Sequence, residues 1–230
     1  MNRILIVLLV VLQTTTQIKS QTPNLRIHYK VSFIDALHNN MHIEMFLEGL
    51  KSGDQTFKMP QWMPGYYQIM NYANDVFNFQ VKNEKNSFIA FKKTNTNSWT
   101  FNNLDNRKII ISYDIKCTKI FVANNYVDTS RAYIIPCATF LYPENNLQAS
   151  STIQIVPEKN WKNIATGLTI LPYVKYSYTA YNYDILFDSP ILIGKLETLQ
   201  PFFINGIKHR FIGYNIGNFN KEKFIQDLSK

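Results

Sequence analysis

Alternation of apolar and polar residues is the sequence feature that most limits how this chain can fold. Residues 25–33 read LRIHYKVSF, in which apolar and polar side chains alternate over nine positions. A second alternating run, residues 41–47, follows after Asn39-Asn40, a pair typical of turns. Because successive side chains of a strand point to opposite faces, this pattern predicts half-buried β-strands.

The same reasoning predicts strands along most of the remaining chain, separated by turns rich in Asn, Gly and Pro. Asn205-Gly206 between two short apolar segments predicts a β-hairpin. The further predicted strands cover residues 76–81, 88–91, 98–101, 108–117, 133–141, 152–156, 178–187 and 208–214. We therefore predict an all-β fold, an antiparallel β-sandwich or a saddle-like β domain.

The C-terminal segment, residues 220–230, is the one stretch that clearly departs from alternation. Phe224, Ile225 and Leu228 fall on one face of a helix that begins after Asn220, a favourable N-cap. An isolated helix of about three turns is only marginally stable. We therefore predict a short amphipathic helix that packs on the sheet or on a partner, with a homodimer through this face as one outcome.

The N-terminus has the layout of a secretory signal peptide. Arg3 precedes an apolar run at residues 4–12, and a polar stretch leads to Ser20. This run is shorter than the ~20 apolar residues of a spanning helix. We predict a protein that is secreted or held in the periplasm or cell envelope, with no membrane span after cleavage. The predicted segments are 1–20 signal peptide, 21–217 β domain and 218–230 start of the helix.

The distribution of charge argues against one class of partner. The net charge of +8 is spread along the chain without a long basic run, so a nucleic-acid partner is not predicted.

Cys117 and Cys137 are the only two cysteines. In an oxidising compartment they can form a disulfide, and the paired and free states are both open from the sequence. Neither has a histidine nearby in the sequence, which argues against a metal site.

Residues 60–67, PQWMPGYY, form what we call the Pro-Gly loop. Prolines restrict φ, glycine allows a left-handed backbone, and aromatic rings offer a large contact area with few rotatable bonds. The sequence therefore predicts a stiff loop between strands. One interpretation is a structural corner that caps the sheet. The other is a surface for contact with another domain or a ligand, formed by Trp62, Pro64, Gly65, Tyr66 and Tyr67.

A search for catalytic patterns yields no candidate. His38 and His42 are four residues apart, but the intervening residues lack the glutamate of a His-Glu-x-x-His zinc motif. The nucleophile elbow, the phosphate-binding loop and the dinucleotide fingerprint are also missing from the sequence. We therefore predict no catalytic residue, no metal ligand and no cofactor within this sequence.

Four segments resemble, in the same order, segments of the glycyl aminopeptidase family, which are PDZ-containing gluzincin metallopeptidases. Residues 59–69, MPQWMPGYYQI, are similar to the family's Leu-Pro-x-Trp-x-Pro-Gly-Ser-Tyr, and residues 126–133, YVDTSRAY, to its Tyr-x-Asp-x-x-Arg-x-Phe/Tyr. Residues 187–194, FDSPILIG, resemble its Asp-Ser-Pro-x-x-x-Gly turn, and residues 206–211, GIKHRF, its Gly-x-x-His-x-hydrophobic strand. Tyr66 stands where the family commonly has serine.

This resemblance implies an N-terminal accessory domain that packs beside a zinc-dependent catalytic domain and limits substrate access. The catalytic and PDZ domains lie outside this sequence, so zinc is expected only there, and we expect a non-catalytic part of a truncated or split protein. Its partner would be a separately encoded catalytic domain or a peptide substrate. The resemblance also implies a structural turn formed by Asp188, Ser189, Pro190 and Gly194. The alternative function is a stand-alone extracellular module that binds peptides or glycans.

Overall fold

The computed structural model describes residues 25–104 and 108–229, so the predicted signal peptide lies outside the described residues. The described strands are β1 (Arg26–Asp35), β2 (Asn40–Glu48), β3 (Gly53–Lys58), β4 (Val76–Asn83), β5 (Phe91–Asn95), β6 (Ser98–Asn103), β7 (Lys108–Lys116), β8 (Tyr126–Val127), β9 (Arg131–Ile134), β10 (Tyr142–Pro143), β11 (Ser151–Val156), β12 (Asn163–Thr166), β13 (Thr169–Ile170), β14 (Ser177–Ala180), β15 (Ile191–Gly194), β16 (Glu197–Thr198), β17 (Phe202–Ile204), β18 (Ile207–His209) and β19 (Ile212–Gly213). The α-helices are α1 (Tyr183–Phe187) and α2 (Lys221–Leu228). Short 3-10 helices cover Ala36–His38, Tyr72–Asp75 and Pro136–Ala138. Across these described ranges, every helix is too short or too polar to cross a bilayer.

The strands form one large sheet and several smaller ones. The large sheet has seven strands in the order β13-β14-β11-β1-β2-β7-β4. Two four-stranded sheets have the orders β10-β3-β6-β5 and β12-β15-β9-β8, and β16-β19 and β17-β18 form two-stranded ribbons. Strands β1 and β11 are parallel, whereas the other described pairs are antiparallel. This confirms the predicted all-β, sandwich-like fold.

The alternating residues of the central strands provide one wall of the core. Tyr29 of β1, Met45 of β2 and Ile111 of β7 are neighbours across the sheet, and all three are buried. Phe79 of β4 stacks on Trp99 of β6, with 5.0 Å between ring centroids, and so joins the large sheet to the second one. Because a one-residue slip would turn the whole apolar set towards solvent, this core fixes the register of the strands.

Turn chemistry decides two further elements. Asn205 and Gly206 have φ values of 49° and 78°, as a type I′ turn requires, and they join β17 to β18, which confirms the predicted hairpin. The strand predicted over residues 178–187 is wrong in its second half, where α1 forms. The side chain of Asn182 caps this helix by accepting a hydrogen bond from the backbone N–H of Ile185 at 2.9 Å.

The strand predicted over residues 133–141 is also wrong beyond Ile134. Residues 135–141, which we call the buried segment, are fully enclosed but are not part of a sheet. The side chain of Asn125 accepts a hydrogen bond from the N–H of Ile135 at 2.8 Å and donates one to the carbonyl of Ala138 at 2.9 Å. The side chain of Asn125 therefore forms the backbone hydrogen bonds that a neighbouring strand would form in a sheet.

Three buried tyrosines complete the hydrogen bonding of the buried segment. The hydroxyl of Tyr113 donates to the carbonyl of Thr139, that of Tyr183 to Phe140 and that of Tyr29 to Leu141, each at 2.7 Å. The Tyr113 hydroxyl also accepts a hydrogen bond from the N–H of Leu141 at 3.3 Å. Burial raises the pKa of all three phenols, so they remain neutral donors. Consecutive carbonyls are thus held by residues of β1, β7 and α1.

Helix α2 is the predicted C-terminal amphipathic helix. The side chain of Asn220 accepts a hydrogen bond from the N–H of Lys223 at 2.9 Å and caps its start. The ring of Phe224 lies against Phe211 and Phe219, at centroid distances of 5.0 and 5.3 Å. Part of the apolar face is thus covered by the chain itself. The homodimer through this face stays a prediction, which light scattering of the F224S variant can check.

Replacing the buried phenols with phenylalanine is expected to destabilise the fold. Y29F, Y113F and Y183F each leave a buried carbonyl without its donor, at a cost of about 1–3 kcal/mol in the free energy of unfolding. We expect Y113F to cost most, because it removes two hydrogen bonds. Urea denaturation measures these losses. Y133F is the matched control, because the hydroxyl of Tyr133 donates to the carbonyl of Val122 at 3.4 Å in an exposed position, where water can replace it. Losses no larger than that of the control would contradict this role.

Candidate functional site

The tip of the Pro-Gly loop is a tight turn. Pro64 and Gly65 occupy its central positions, and the N–H of Tyr66 donates to the carbonyl of Met63 at 3.4 Å. Gly65 has φ +80°, the value that the third position of a type II turn requires. Pro64 suits this turn because proline has a fixed φ, and Gly65 suits it because glycine readily adopts a positive φ.

Contacts at both ends make the whole loop stiff. The N–H of Met70 donates to the carbonyl of Gln61 at 2.7 Å and closes the loop at its base. Met59, immediately before the loop, is buried and exchanges hydrogen bonds with Asn97, at 2.9 Å from its own N–H and 2.7 Å to its carbonyl. On the far side, Tyr72 is buried next to Cys137. The aromatic side chains of the loop are thus carried on a fixed frame.

The loop sorts its large side chains between core and solvent. Met63 is half-buried and packs against the core. Trp62 is 51% exposed and Tyr67 is 93% exposed, and Pro64 is exposed as well. Tyr66 lies between these extremes and meets Phe121 edge to face, with centroids 5.1 Å apart. The predicted contact residues are therefore displayed at the surface and continue into a second surface feature at Phe121.

That second feature is an open groove with a volume of about 650 Å³, which we call the Arg131 groove. It lies where the loop after β7 approaches β8, β9, β15 and the segment after β19. Apolar and aromatic side chains make up most of its walls. The groove is lined by Ile120, Phe121, Val122, Tyr126, Arg131, Tyr133, Leu192, Tyr214 and Asn215.

The guanidinium of Arg131 is held between two tyrosine rings in this groove. It lies 4.2 Å from the ring centroid of Tyr214 and 4.9 Å from that of Tyr126. Its strand β9 pairs with β15, where Gly194 faces Arg131. Gly194 has φ +152°, and a Cβ there would lie 3.0 Å from the Cβ of Arg131. The absence of a side chain at Gly194 therefore allows the close strand contact that positions Arg131.

Asp128 organises the turn that precedes Arg131. Its carboxylate accepts hydrogen bonds from the N–H of Ser130 at 2.6 Å, the N–H of Arg131 at 2.9 Å and the hydroxyl of Tyr126 at 2.8 Å. Burial tends to raise the pKa of Asp128, but hydrogen bonds from Ser130 and Tyr126 outweigh it and lower the pKa below its usual value. The residues of the Tyr-x-Asp-x-x-Arg pattern thus form one ionised, hydrogen-bonded unit.

The turn Asp188-Ser189-Pro190 lies between α1 and β15. Asp188 follows the last residue of the helix, and the hydroxyl of Ser189 donates to the carbonyl of Ile185 at 2.7 Å. The chain then enters β15, which ends at Gly194. This turn therefore sets the start of the strand that supports Arg131, and Gly194 connects it to the groove.

The described histidines and carboxylates do not gather into a metal site. His42 bonds to Asp114 through Nδ1 at 2.6 Å, whereas His38 bonds to Asp35. Within residues 25–104 and 108–229, no group of three or more His, Cys, Asp or Glu side chains is placed to hold a metal ion. These histidines and carboxylates therefore serve as hydrogen-bond partners of one another, on the outer face of the large sheet and in the turn next to it.

The two cysteines are free thiols rather than a disulfide in this structure. Cys117 follows β7 and its thiol donates to the carbonyl of Ile115 at 3.4 Å. Cys137 lies in the 3-10 helix of the buried segment, close to the buried Tyr72. Both sulfurs are thus buried in the core as free thiols, and the paired state considered from the sequence does not form here.

The family described as Peptidase M61 N-terminal domain matches residues 28–195. The chain belongs to this family. The match covers the large sheet apart from the first two residues of β1, the Pro-Gly loop and most residues of the Arg131 groove, and it confirms the resemblance seen in the sequence. A search of curated proteins finds no match.

The same fold occurs in a solved structure. A crystal structure of an aminopeptidase N family protein from Idiomarina loihiensis has a TM-score of 0.80 at 22% identity, covering 88% of this chain and 35% of that one. This chain thus spans about a third of that protein. The M1 zinc metallopeptidase from Deinococcus radiodurans has a TM-score of 0.44 at 8% identity, covering 90% and 52%. Yeast LTA4 hydrolase has a TM-score of 0.42 at 13% identity, covering 77% and 29%.

Sequence reasoning missed the groove of this peptidase M61 N-terminal domain. It identified Tyr126, Asp128 and Arg131 only as part of a resemblance, and it did not identify Phe121 or Tyr214. One available signal was the apolar run at residues 120–122, which lies in a loop and not in an alternating strand. Three adjacent apolar residues in a loop have few ways to be buried, so such a run marks a contact surface.

Thiol accessibility is expected to distinguish the folded from the unfolded chain. Burial raises the pKa of Cys137 to about 11 and that of Cys117 further still. Because the thiolate is the reactive form, we expect iodoacetamide at pH 8 to leave both cysteines unmodified in the native protein and to modify both in urea without reductant. Mass spectrometry counts the modifications. A denatured, unreduced protein that remains unmodified would show a disulfide instead.

Proposed function

We propose that this chain is the non-catalytic N-terminal accessory domain of a metallopeptidase. In this role it packs against the catalytic domain and helps to shape the access of peptide substrates. The observation that carries the proposal is the display of Trp62 and Tyr67 at the surface of a stiff loop, in a domain of a peptidase family.

The physical argument concerns the cost of leaving these rings in water. A partner that covers Trp62 and Tyr67 gains from the burial of large apolar surfaces. The closed base and the turn at Gly65 already hold the backbone in place, so little conformational entropy remains to be lost on contact. Pro64 and Tyr66 extend the surface, and Phe121 continues it towards the Arg131 groove. This combination is typical of the centre of a protein–protein interface.

In this proposal, the zinc chemistry belongs to the catalytic domain, on the same polypeptide or on another. The described residues of this chain contribute shape and contact surface. The alternative role as a stand-alone module is distinguished by the coding DNA: a His-Glu-x-x-His helix encoded downstream of Lys230, or in a neighbouring gene, favours the accessory role.

We further propose that the protein is exported. The support is the basic and apolar order of residues 1–20, which lie outside the described residues. We expect the mature protein to begin near Gln21 when the full coding sequence is expressed in its source organism. The mass of the protein recovered from the medium or the envelope measures this. An intact N-terminus with a cytosolic location would contradict export.

The W62A/Y67A double variant is expected to separate contact from folding. Because both side chains are exposed, we expect the free energy of unfolding of this chain to change by less than about 1 kcal/mol. We expect its affinity for the catalytic domain, prepared without its own N-terminal domain, to fall by about ten-fold or more, because buried aromatic anchors dominate interfaces. Urea denaturation and isothermal titration calorimetry give the two quantities.

Y181A is the matched control, because Tyr181 is an exposed tyrosine on the loop between β14 and α1. Y181A is expected to change neither the free energy of unfolding nor the affinity for the catalytic domain. Two results would overturn the proposal: an unchanged affinity of W62A/Y67A, or a loss of several kcal/mol in its stability, which would make these rings part of the core.

A further inference from the structure

The guanidinium of Arg131 forms no ion pair in the described part of the chain. Ion pairs within residues 25–104 and 108–229 use Lys and His side chains as their cations, and Arg131 takes part in none of them. Its guanidinium lies in the Arg131 groove between the rings of Tyr126 and Tyr214. A guanidinium is always charged and offers five N–H donors in a fixed plane.

The nearest carboxylate in the sequence, that of Asp128, is already engaged. One of its oxygens accepts from Ser130 and from the backbone N–H of Arg131, and the other accepts from the hydroxyl of Tyr126. The hydroxyl of Tyr214 lies 3.2 Å from that of Ser130. The surrounding polar groups therefore bond to one another and orient the tyrosine rings, and they leave the guanidinium for another acceptor.

Apolar side chains stand next to this charge. Ile120, Phe121, Val122 and Leu192 line the same groove, and Val122 is 62% exposed. Leu192 belongs to β15, which pairs with β9, the strand of Arg131. The same strand pairing therefore positions both the apolar side chain of Leu192 and the guanidinium of Arg131. A ligand that satisfies both features has an anionic group and an apolar group close together.

The lining also limits the kind of anion. Among the described residues that line the groove, Arg131 is the one cationic side chain, and no lysine accompanies it. A single planar guanidinium matches a carboxylate, which carries one charge and two oxygens for parallel hydrogen bonds. A phosphate carries up to two charges and is usually held by additional cations or backbone N–H groups. The groove volume of about 650 Å³ is suited to a short peptide segment.

We propose that the Arg131 groove binds the carboxylate of a short peptide, with an adjacent apolar side chain against Phe121 and Val122. The carboxylate is either that of an acidic side chain or that of the peptide C-terminus. This inference goes beyond the accessory role and does not depend on a catalytic domain, because the whole groove is formed by this chain.

Titration of the purified chain with three dipeptides tests the proposal. The probes are N-acetyl-Leu-Glu-amide, with a side-chain carboxylate, N-acetyl-Phe-Leu, with a C-terminal carboxylate, and the neutral N-acetyl-Leu-Gln-amide. We expect at least one carboxylate peptide to bind about ten-fold more tightly than the neutral one, measured by calorimetry or by NMR shift changes at the groove. The preferred peptide identifies the source of the carboxylate.

Two variants locate the binding. R131M removes the charge, and we expect the advantage of the carboxylate peptide over the neutral one to disappear. V122D places a competing carboxylate on the exposed rim of the groove without altering the core, and we expect the same loss. K175M and V174D are matched controls, because Lys175 lies over the ring of Tyr176 and Val174 is exposed, both outside the groove lining. Both controls are expected to bind as the wild type does.

Several outcomes would overturn the inference. The neutral peptide binding as tightly as the charged ones would show an apolar groove without carboxylate recognition. An absence of binding at millimolar concentration, or an unchanged affinity in V122D, would remove the site altogether. The peptide titration contains no catalytic domain, whereas the W62A/Y67A experiment measures affinity for that domain. A negative result in either experiment therefore leaves the other proposal standing.

Discussion

The hydrogen bonding of the buried segment, residues 135–141, is the constraint on which the rest of the structure depends. A chain that crosses the interior outside a sheet must find partners for each backbone polar group, because an unpaired one is costly to bury. Here Asn125, Tyr29, Tyr113 and Tyr183 provide those partners, from elements far apart in sequence. The same contacts that satisfy the segment therefore also hold the large sheet, α1 and the loop before β8 in one arrangement.

That arrangement also places the surface features. Cys137 of the buried segment packs against Tyr72, which anchors the far side of the Pro-Gly loop. Asn125 immediately precedes Tyr126, so the residue that satisfies the segment also sets the start of the Tyr-x-Asp-x-x-Arg unit. The exposed aromatic rings and the Arg131 groove thus rest on the buried segment and its hydrogen-bond partners. A site supported in this way keeps its shape without a ligand.

Much of the fold follows from local patterns, and most of the site does not. The alternation in β1 and β2, the turn at Asn205-Gly206 and the helix after Asn220 each depend on neighbours in sequence, and all three were predicted. The errors at residues 133–141 and 178–187 have a common cause. Both contain apolar residues with strand-like spacing, but backbone N–H groups donate to the side chains of Asn125 and Asn182 in place of the strand pairing that the spacing suggests.

The amino-acid sequence by itself determined the class of fold, the stiffness of the Pro-Gly loop and the family, because strand periodicity, proline and glycine act locally and the motifs stand in a recognisable order. Only the tertiary structure decided that Tyr66 meets Phe121, that Arg131 lies between Tyr126 and Tyr214, and that the two cysteines are buried as free thiols. The physical reason is that these contacts join residues distant along the chain, and their geometry is set by the packing of the whole core.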